Sequence, residues 1–401
     1  MELLQGRIRD YAWGSRTAIA ELQGRPVPSD GPEAELWLGA HPGAPATVDR
    51  DGAPVSLTDL LVAEPAHWLG ERLVGRFGTR LPFLLKVLAA DAPLSLQAHP
   101  DAEQARAGHA ADPGRVNYVD PYHKPELLVA LSEFEALCGF RDPAESAAAI
   151  EAFGVPALAP VVAALRTGPA GLREAVRLLL SWPEAERAGL VDAVLTAEAA
   201  GPDDGSGSRR GVGRAEPESS DAVLARGLAV DYPADPGVLV ALLLHHVRLA
   251  PGEAIWMPAG NLHAYLRGTG VEIMAASDNV LRGGLTPKRV DVDELLRVLR
   301  FEVLDEPVVA PVPVAPGVVT WPVPVEDFAL HRVRVPAGDP AVRLALPGPR
   351  VVLCRAGKLT VDDGVGTITL AAGQAAVGTA AGGPLVVGGD GEAYVASCGL
   401  R

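Results

Sequence analysis

The chain is short of three things, and each shortage narrows what it does. It has little cysteine: Cys138, Cys354 and Cys398 are the only three in 401 residues. An odd number without metal-ligand spacing supports neither a disulfide framework nor a thiolate metal site, so all three read as buried small hydrophobes. It has no long apolar run. The most apolar stretch, Val238 to Leu244, falls far below the roughly 20 residues of a membrane helix. The opening MELLQGRIRDYAWG carries charges where a signal peptide has its apolar core, so a cytoplasmic location is expected. Finally, basic residues are outnumbered 35 to 50, for a net charge of −15. Nucleic acid and anionic membrane both require a basic surface, and neither is expected as a partner. An anionic substrate would need a local cationic cluster.

What is present is a soluble globular composition, 48% hydrophobic and 21% charged, at a length that suits two or three domains. The fold class expected is mainly β with an α-helical insertion. Residues 1–141 alternate short β-like runs with Gly, Pro and Asp turns, and LPFLLKVL (81–88), PLSLQAH (93–99) and KPELLVAL (124–131) read as buried strands. Residues 142–234 change to Ala-, Leu- and Glu-rich segments of helical spacing. Within them, 201–220 is polar and Gly-rich and reads as a mobile loop. It has no preceding strand and no following lysine that would make it a phosphate loop. β character returns over 235–300, with a helix expected in DVDELLRVL after Thr286-Pro287. Residues 301–401 are Val- and turn-rich and read as a separate all-β domain.

The most specific local pattern is Gly252-EAIWM-Pro258-Ala-Gly260-NL-His263. It resembles the second motif of the cupin superfamily, a jelly-roll-like β-barrel, although Arg267 stands where that motif ends in Asn. Glycine opens a strand, Pro and Gly turn the chain at the barrel edge, and the His then points inward. Further ligands are expected from an earlier strand pair. In Ser95-Leu-Gln97-Ala-His99, side-chain alternation puts the three polar residues on one face and Leu94, Leu96 and Ala98 on the other. Three polar groups on a buried strand ask for a metal, a ligand or water. The same parity joins Lys124 to Glu126 and His263 to Tyr265. Gln97, His99, Glu126 and His263 offer two imidazole nitrogens and two oxygens, a set that suits zinc without excluding iron or manganese. His41, His67, His109, His245 and His246 read as ordinary histidines.

YAWGS (11–15), LPFLLKVLAADAPLSLQAHPD (81–101), HKPELLVAL (123–131), FEALCGFR (134–141), MPAGNLHAYLRG (257–268) and VEIMAASDNVLRGGLTPKRVDVDELL (271–296) occur in one order along the chain. In them the sequence resembles the type I mannose-6-phosphate isomerases. Tyr122 and Asn261 depart from that family's usual residues, and 201–220 is extra. The resemblance implies one zinc per chain on Gln97, His99, Glu126 and His263, and a catalytic Arg282. It implies active-site roles for Ser95, Lys124, Glu272 and Lys288, with Ser95 and Lys288 on the phosphate. Tyr265 is expected to contact substrate. The reaction implied is a 1,2-proton shift through a cis-enediol, with Lys124 or Glu272 as the proton carrier. It would supply mannose 6-phosphate for GDP-mannose and glycan synthesis, or feed mannose into glycolysis. A monomer is expected, with a sugar phosphate as its small-molecule partner. The second barrel keeps an echo of the motif, Gly373 to Pro384, without the ligand. An iron-dependent cupin dioxygenase would explain the ligand set but not the HKPE and DNVLRGGLTPK strings, and a non-catalytic sugar-phosphate-binding cupin is disfavoured because the whole constellation is intact.

Overall fold

The computed structural model describes residues 1–200 and 220–400. The loop expected over 201–220 therefore lies outside the described residues, except for Ser220, which opens the helix Ser220–Asp231.

Strand Phe83–Ala90, from the LPFLLKVL run, is buried along its whole length. It pairs with Glu35–Leu38 on one side and with the 13-residue strand His263–Ala275 on the other. Glu126–Ala130, Ala254–Met257 and Val308–Val309 follow outward, and Arg7–Arg9 forms the opposite edge. The long strand does not stay in this ladder. Its register shifts between Tyr265 and Arg267, and its first residues pair instead with Leu96–Ala98 and Phe134–Phe140. Leu281–Gly284 and Leu244–Leu249 extend that second group. The crossing is at Gly268, whose φ is +122° and where a Cβ would lie 2.6 Å from the Glu133 carbonyl oxygen; only glycine fits such a bend. Hydrogen bonding thus passes from one sheet to the next instead of closing on itself. The closed barrel expected from the cupin motif is replaced by open, curved, cupin-like sheets.

The C-terminal sheet repeats this plan. Strands Val312–Ala315, Val318–Thr320, Ala329–Val335, Arg350–Asp362, Ala375–Gly378 and Leu385–Ser397 pair in the order first, second, third, sixth, fourth, fifth. The first sheet follows the same order from Arg7–Arg9 to His263–Ala275. Gly252 and Gly373, both at positive φ, precede equivalent strands. Where Gln97 pairs with His263 in the first sheet, Leu344 pairs with Leu385 in the second. Both leucines belong to a dry apolar cluster. Strand Glu2–Gln5 joins the C-terminal sheet and carries Thr47–Arg50 and Ala53–Ser56 with it, so three strands of that sheet come from the first 60 residues.

The N-terminal region also holds helices where alternation suggested strands: Leu57–Ala63, Pro65–Leu69, Glu71–Phe77 and Ala102–Ala111 among them. The Pro and Gly residues read as turns are helix punctuation. Pro65 starts one helix, and Gly70 and Gly78 lie at helix ends. Leu57, Leu61, Trp68, Leu69 and Leu73 form the buried stripe. The expected helical block is present as Pro143–Ala152, Ala159–Leu165, Leu172–Leu180, Glu184–Ala200 and Ser220–Asp231. Its core is continuous with Leu96, Ala98, Leu262 and Ala264. The apolar face of the Ser95–His99 segment is therefore covered by helices, which leaves its polar face for the site. No helix among the described residues is long and apolar enough to cross a membrane.

Candidate active site

Cross-strand register builds the site from two rows. Residues directly opposite in an antiparallel pair share a face, with Cβ atoms about 4.5–5.5 Å apart. In one row Arg282 pairs with Gln97 and Gln97 with His263. In the other Glu272 pairs with Lys86 and Lys86 with Trp37. All of these but His263 line one cavity of about 660 Å³, within the roughly 300–1,000 Å³ of small-molecule sites.

His99, Glu126 and His263 bring one ligand atom each to within 4.8 Å of one another, all buried. Glu126 Oε2 lies 3.3 Å from His99 Nε2 and 3.2 Å from His263 Nε2. Those distances are short, yet neither Nε2 has a hydrogen-bond partner. Buried polar atoms are rarely left unpaired, and two of them aimed with a carboxylate oxygen at one point is the arrangement of ligands around an ion. The other ring nitrogens settle the tautomer. His99 Nδ1 donates to the Asn279 carbonyl at 2.7 Å and His263 Nδ1 to the Asn261 carbonyl at 3.1 Å. Each Nε2 is left with its lone pair free for a metal. The Pro258–Gly260 turn places that Asn261 carbonyl. Gly260 sits at φ +80° and donates to the His99 carbonyl, and a Cβ there would lie 2.8 Å from Arg300 Cγ. Burial pushes the His99 imidazole down to about 4, keeping it neutral. Burial alone would raise Glu126, but the charge of Lys124 opposes it and the carboxyl lies well below its ordinary range. A neutral imidazole and an anionic carboxylate are the states a divalent cation needs. With the Gln97 amide beside them, the donor set fits zinc.

Lys86 is buried between two carboxylates, 2.9 Å from Glu35 Oε1 and 2.5 Å from Glu272 Oε2. The Tyr265 hydroxyl donates to Glu272 Oε1 at 2.5 Å, and Trp37 Nε1 donates to Glu35 Oε2 at 2.9 Å. Burial raises Glu272 above the usual carboxyl range against the opposing charge of Lys86. Burial and Glu272 raise Tyr265. Lys124 Nζ sits 3.2 Å from Glu126 Oε1. Arg282 is different. It lies at the cavity wall, its pKa lowered by desolvation with no charged neighbour contributing. Among the described residues no carboxylate pairs with Arg282 or Lys288.

Residues 1–143 match the profile of the phosphomannose isomerase type I catalytic domain. The chain is 36% identical to mannose-6-phosphate isomerase of Escherichia coli (strain K12) over 420 aligned positions, covering 98% of each chain. It is 32% identical to the enzyme of that name from Schizosaccharomyces pombe, covering 92% of each. A crystal structure of a phosphomannose isomerase variant from Salmonella typhimurium covers it completely with a TM-score of 0.85 at 32% identity. The chain belongs to the type I phosphomannose isomerases.

In this isomerase Ser95, Gln97, Lys124, Glu126, Tyr265, Glu272, Arg282 and Lys288 all line the one cavity, and His99 and His263 lie behind Glu126. Lys124 is neutralised by Glu126, which leaves Arg282 and Lys288 as the cations an anionic substrate needs. Lys86, Glu35, Trp37 and Asp278 line the cavity but do not follow from the sequence reading. The signal for them was present: Glu35 and Trp37 share a strand face, and Lys86 is the only charge in an otherwise apolar strand. His41 is not the ordinary histidine expected. It is 4% exposed, accepts the Gly43 N–H on Nδ1 at 3.1 Å and faces Asp278 Oδ1 through Nε2 at 3.1 Å. Its ring meets Trp37 edge-on at 4.7 Å. The three cysteines are free and buried.

Proposed function

We propose that this isomerase interconverts D-mannose 6-phosphate and D-fructose 6-phosphate by a 1,2-proton shift through a cis-enediol. Gln97, His99, Glu126 and His263 would hold one zinc ion per chain. The observation that carries the reading is the convergence, around one cavity, of orphaned buried imidazole nitrogens with a guanidinium that no carboxylate among the described residues neutralises. The first asks for a cation and the second for an anion.

Bound zinc would supply Lewis-acid polarisation of the sugar oxygens. The rest falls to the chain. Lys288 and Ser95 hold the phosphate, with Lys288 as an unpaired point charge at the cavity mouth. Arg282 presents a permanent charge that stabilises the oxyanion developing as the C–H proton leaves. Glu272 is suited to carry that proton between C1 and C2, because burial raises it toward working pH and the best general bases lie there. Lys124 is the second candidate, tied to Glu126. Tyr265 spends its hydroxyl on Glu272, so it serves substrate by holding that carboxylate and by its ring. The product either enters glycolysis or supplies GDP-mannose and glycan synthesis.

The test is to purify the protein, measure its metal and follow mannose 6-phosphate conversion before and after chelation. The expected result is about one zinc per chain, with activity lost on chelation and restored by zinc. Turnover that survives full metal removal would overturn the metal's role. Sugar-phosphate binding without turnover in the zinc-loaded protein would favour a binding protein, and iron with oxygen consumption a dioxygenase.

A further inference from the structure

Just past the helical insertion lies a residue that lines no part of the cavity yet is bonded to a segment that does. Asp235 follows the helix Ser220–Asp231. Its Oδ1 accepts the Gly237 N–H at 2.7 Å and its Oδ2 accepts the Thr286 N–H at 3.0 Å. One carboxylate thus stitches the start of the helix Gly237–Ala241 to the strap that leaves strand Leu281–Gly284. Of the two cations that no carboxylate among the described residues pairs with, Arg282 lies within that strand and Lys288 on the strap.

The strap does not run there by local preference. Leu285 is fully buried at φ +52°, in the left-handed region that a leucine rarely adopts. Gly284 sits at φ +120°, and a Cβ there would lie 2.6 Å from Gly237 Cα. Strained conformations of this kind persist only where the surroundings over-determine them. The first backbone donor after the strained turn is Thr286 N–H, the group Asp235 takes. Thr286 Oγ1 then accepts the Lys288 N–H at 3.1 Å, passing the constraint to the residue that bears the charge.

We propose that Asp235 is a positioning residue for anion recognition, holding the 284–288 strap so that Lys288 addresses the phosphate of the substrate. The segment that joins the helical insertion to the β domain thereby sets substrate affinity without Asp235 touching substrate. This rests on the sugar-phosphate reading above.

The experiment compares Asp235→Ala, Asp235→Asn and Lys288→Ala with the parent in the metal-loaded enzyme. It reads KM and kcat for mannose 6-phosphate and the inhibition constant of inorganic phosphate. Asp235→Ala is expected to raise KM and the phosphate inhibition constant together by about tenfold, the scale of losing charge-assisted hydrogen bonds, with kcat within about twofold. Asp235→Asn keeps one acceptor oxygen and should fall between, and it carries the test if the alanine variant does not fold. A merely structural role would lower the active fraction, and with it kcat, while leaving both constants unmoved; that result overturns the proposal. If Lys288→Ala shifts both constants and neither Asp235 variant does, the positioning role fails alone. If Lys288→Ala shifts neither, the phosphate assignment of the strap fails with it.

Discussion

Lys86→Met removes an ammonium from between two buried carboxylates while keeping most of the side chain's length and apolar stem. Lys86, Glu35 and Glu272 are 8%, 7% and 1% exposed at their side chains, so water cannot replace the lost charge. Breaking a buried pair by removing one partner costs about 3–5 kcal/mol. Protonation sets an independent bound. Placing a proton at pH 7 on a carboxyl of ordinary pKa, about 4.3, costs roughly 3.7 kcal/mol at 1.36 kcal/mol per unit. Glu272, already raised by burial, is the group that takes the proton once the ammonium that opposes the rise is gone. Glu35 keeps its Trp37 donor. The two routes agree on about 3–4 kcal/mol at neutral pH.

The pH dependence follows with a definite sign. In the variant the folded-state pKa of Glu272 lies further above its unfolded value, so the folded protein binds one proton more than the unfolded chain between the two. That contribution is present in full below the unfolded pKa and is lost as pH rises through the folded one, at about 1.4 kcal/mol per unit. The destabilisation should therefore shrink between pH 7.5 and pH 5.5, by at most about 2.7 kcal/mol. Titrations common to both proteins, His99 included, cancel in the difference. Urea unfolding of metal-free protein, followed by tryptophan fluorescence at both pH values, measures it. A cost below about 1 kcal/mol, or one that stays flat or grows as pH falls, would refute the reasoning.

Asp120→Asn tests the support behind the metal ligands. Its carboxylate accepts from Ser277 Oγ at 2.9 Å, the Asp278 N–H at 2.8 Å and the Tyr122 N–H at 2.9 Å, holding the turn whose Asn279 carbonyl orients His99. Metal affinity, read by competition with a chelator, should fall about 10- to 100-fold; an unchanged affinity would remove Asp120 from that role. Arg282→Lys keeps the charge but replaces a planar fork by a point charge. Turnover should drop about 10- to 100-fold with metal content intact, and a fully active variant would show that charge alone suffices.

Strand alternation is a local rule, which is why Gln97, His99 and the apolar Leu96 and Ala98 separated correctly on inspection of five residues. The turn from Gly252 to His263 is legible for the same reason, since Pro258 and Gly260 act on their own backbone. Reading failed where Gly and Pro were ambiguous. Those around 57–77 punctuate helices, and only the burial of Leu57, Leu61, Trp68 and Leu73 against the sheets decides for helix over strand.

By itself, then, the sequence determined the candidate ligands, strand faces, the helical insertion and the family. Tertiary structure alone decided that Lys86 lies between Glu35 and Glu272, that His41 meets Asp278, that Arg282 is left unpaired, and that the strands form open sheets. Each of these depends on cross-strand register or a bend in a long strand. Register joins residues far apart in the chain, and no local periodicity records which distant strand lies alongside.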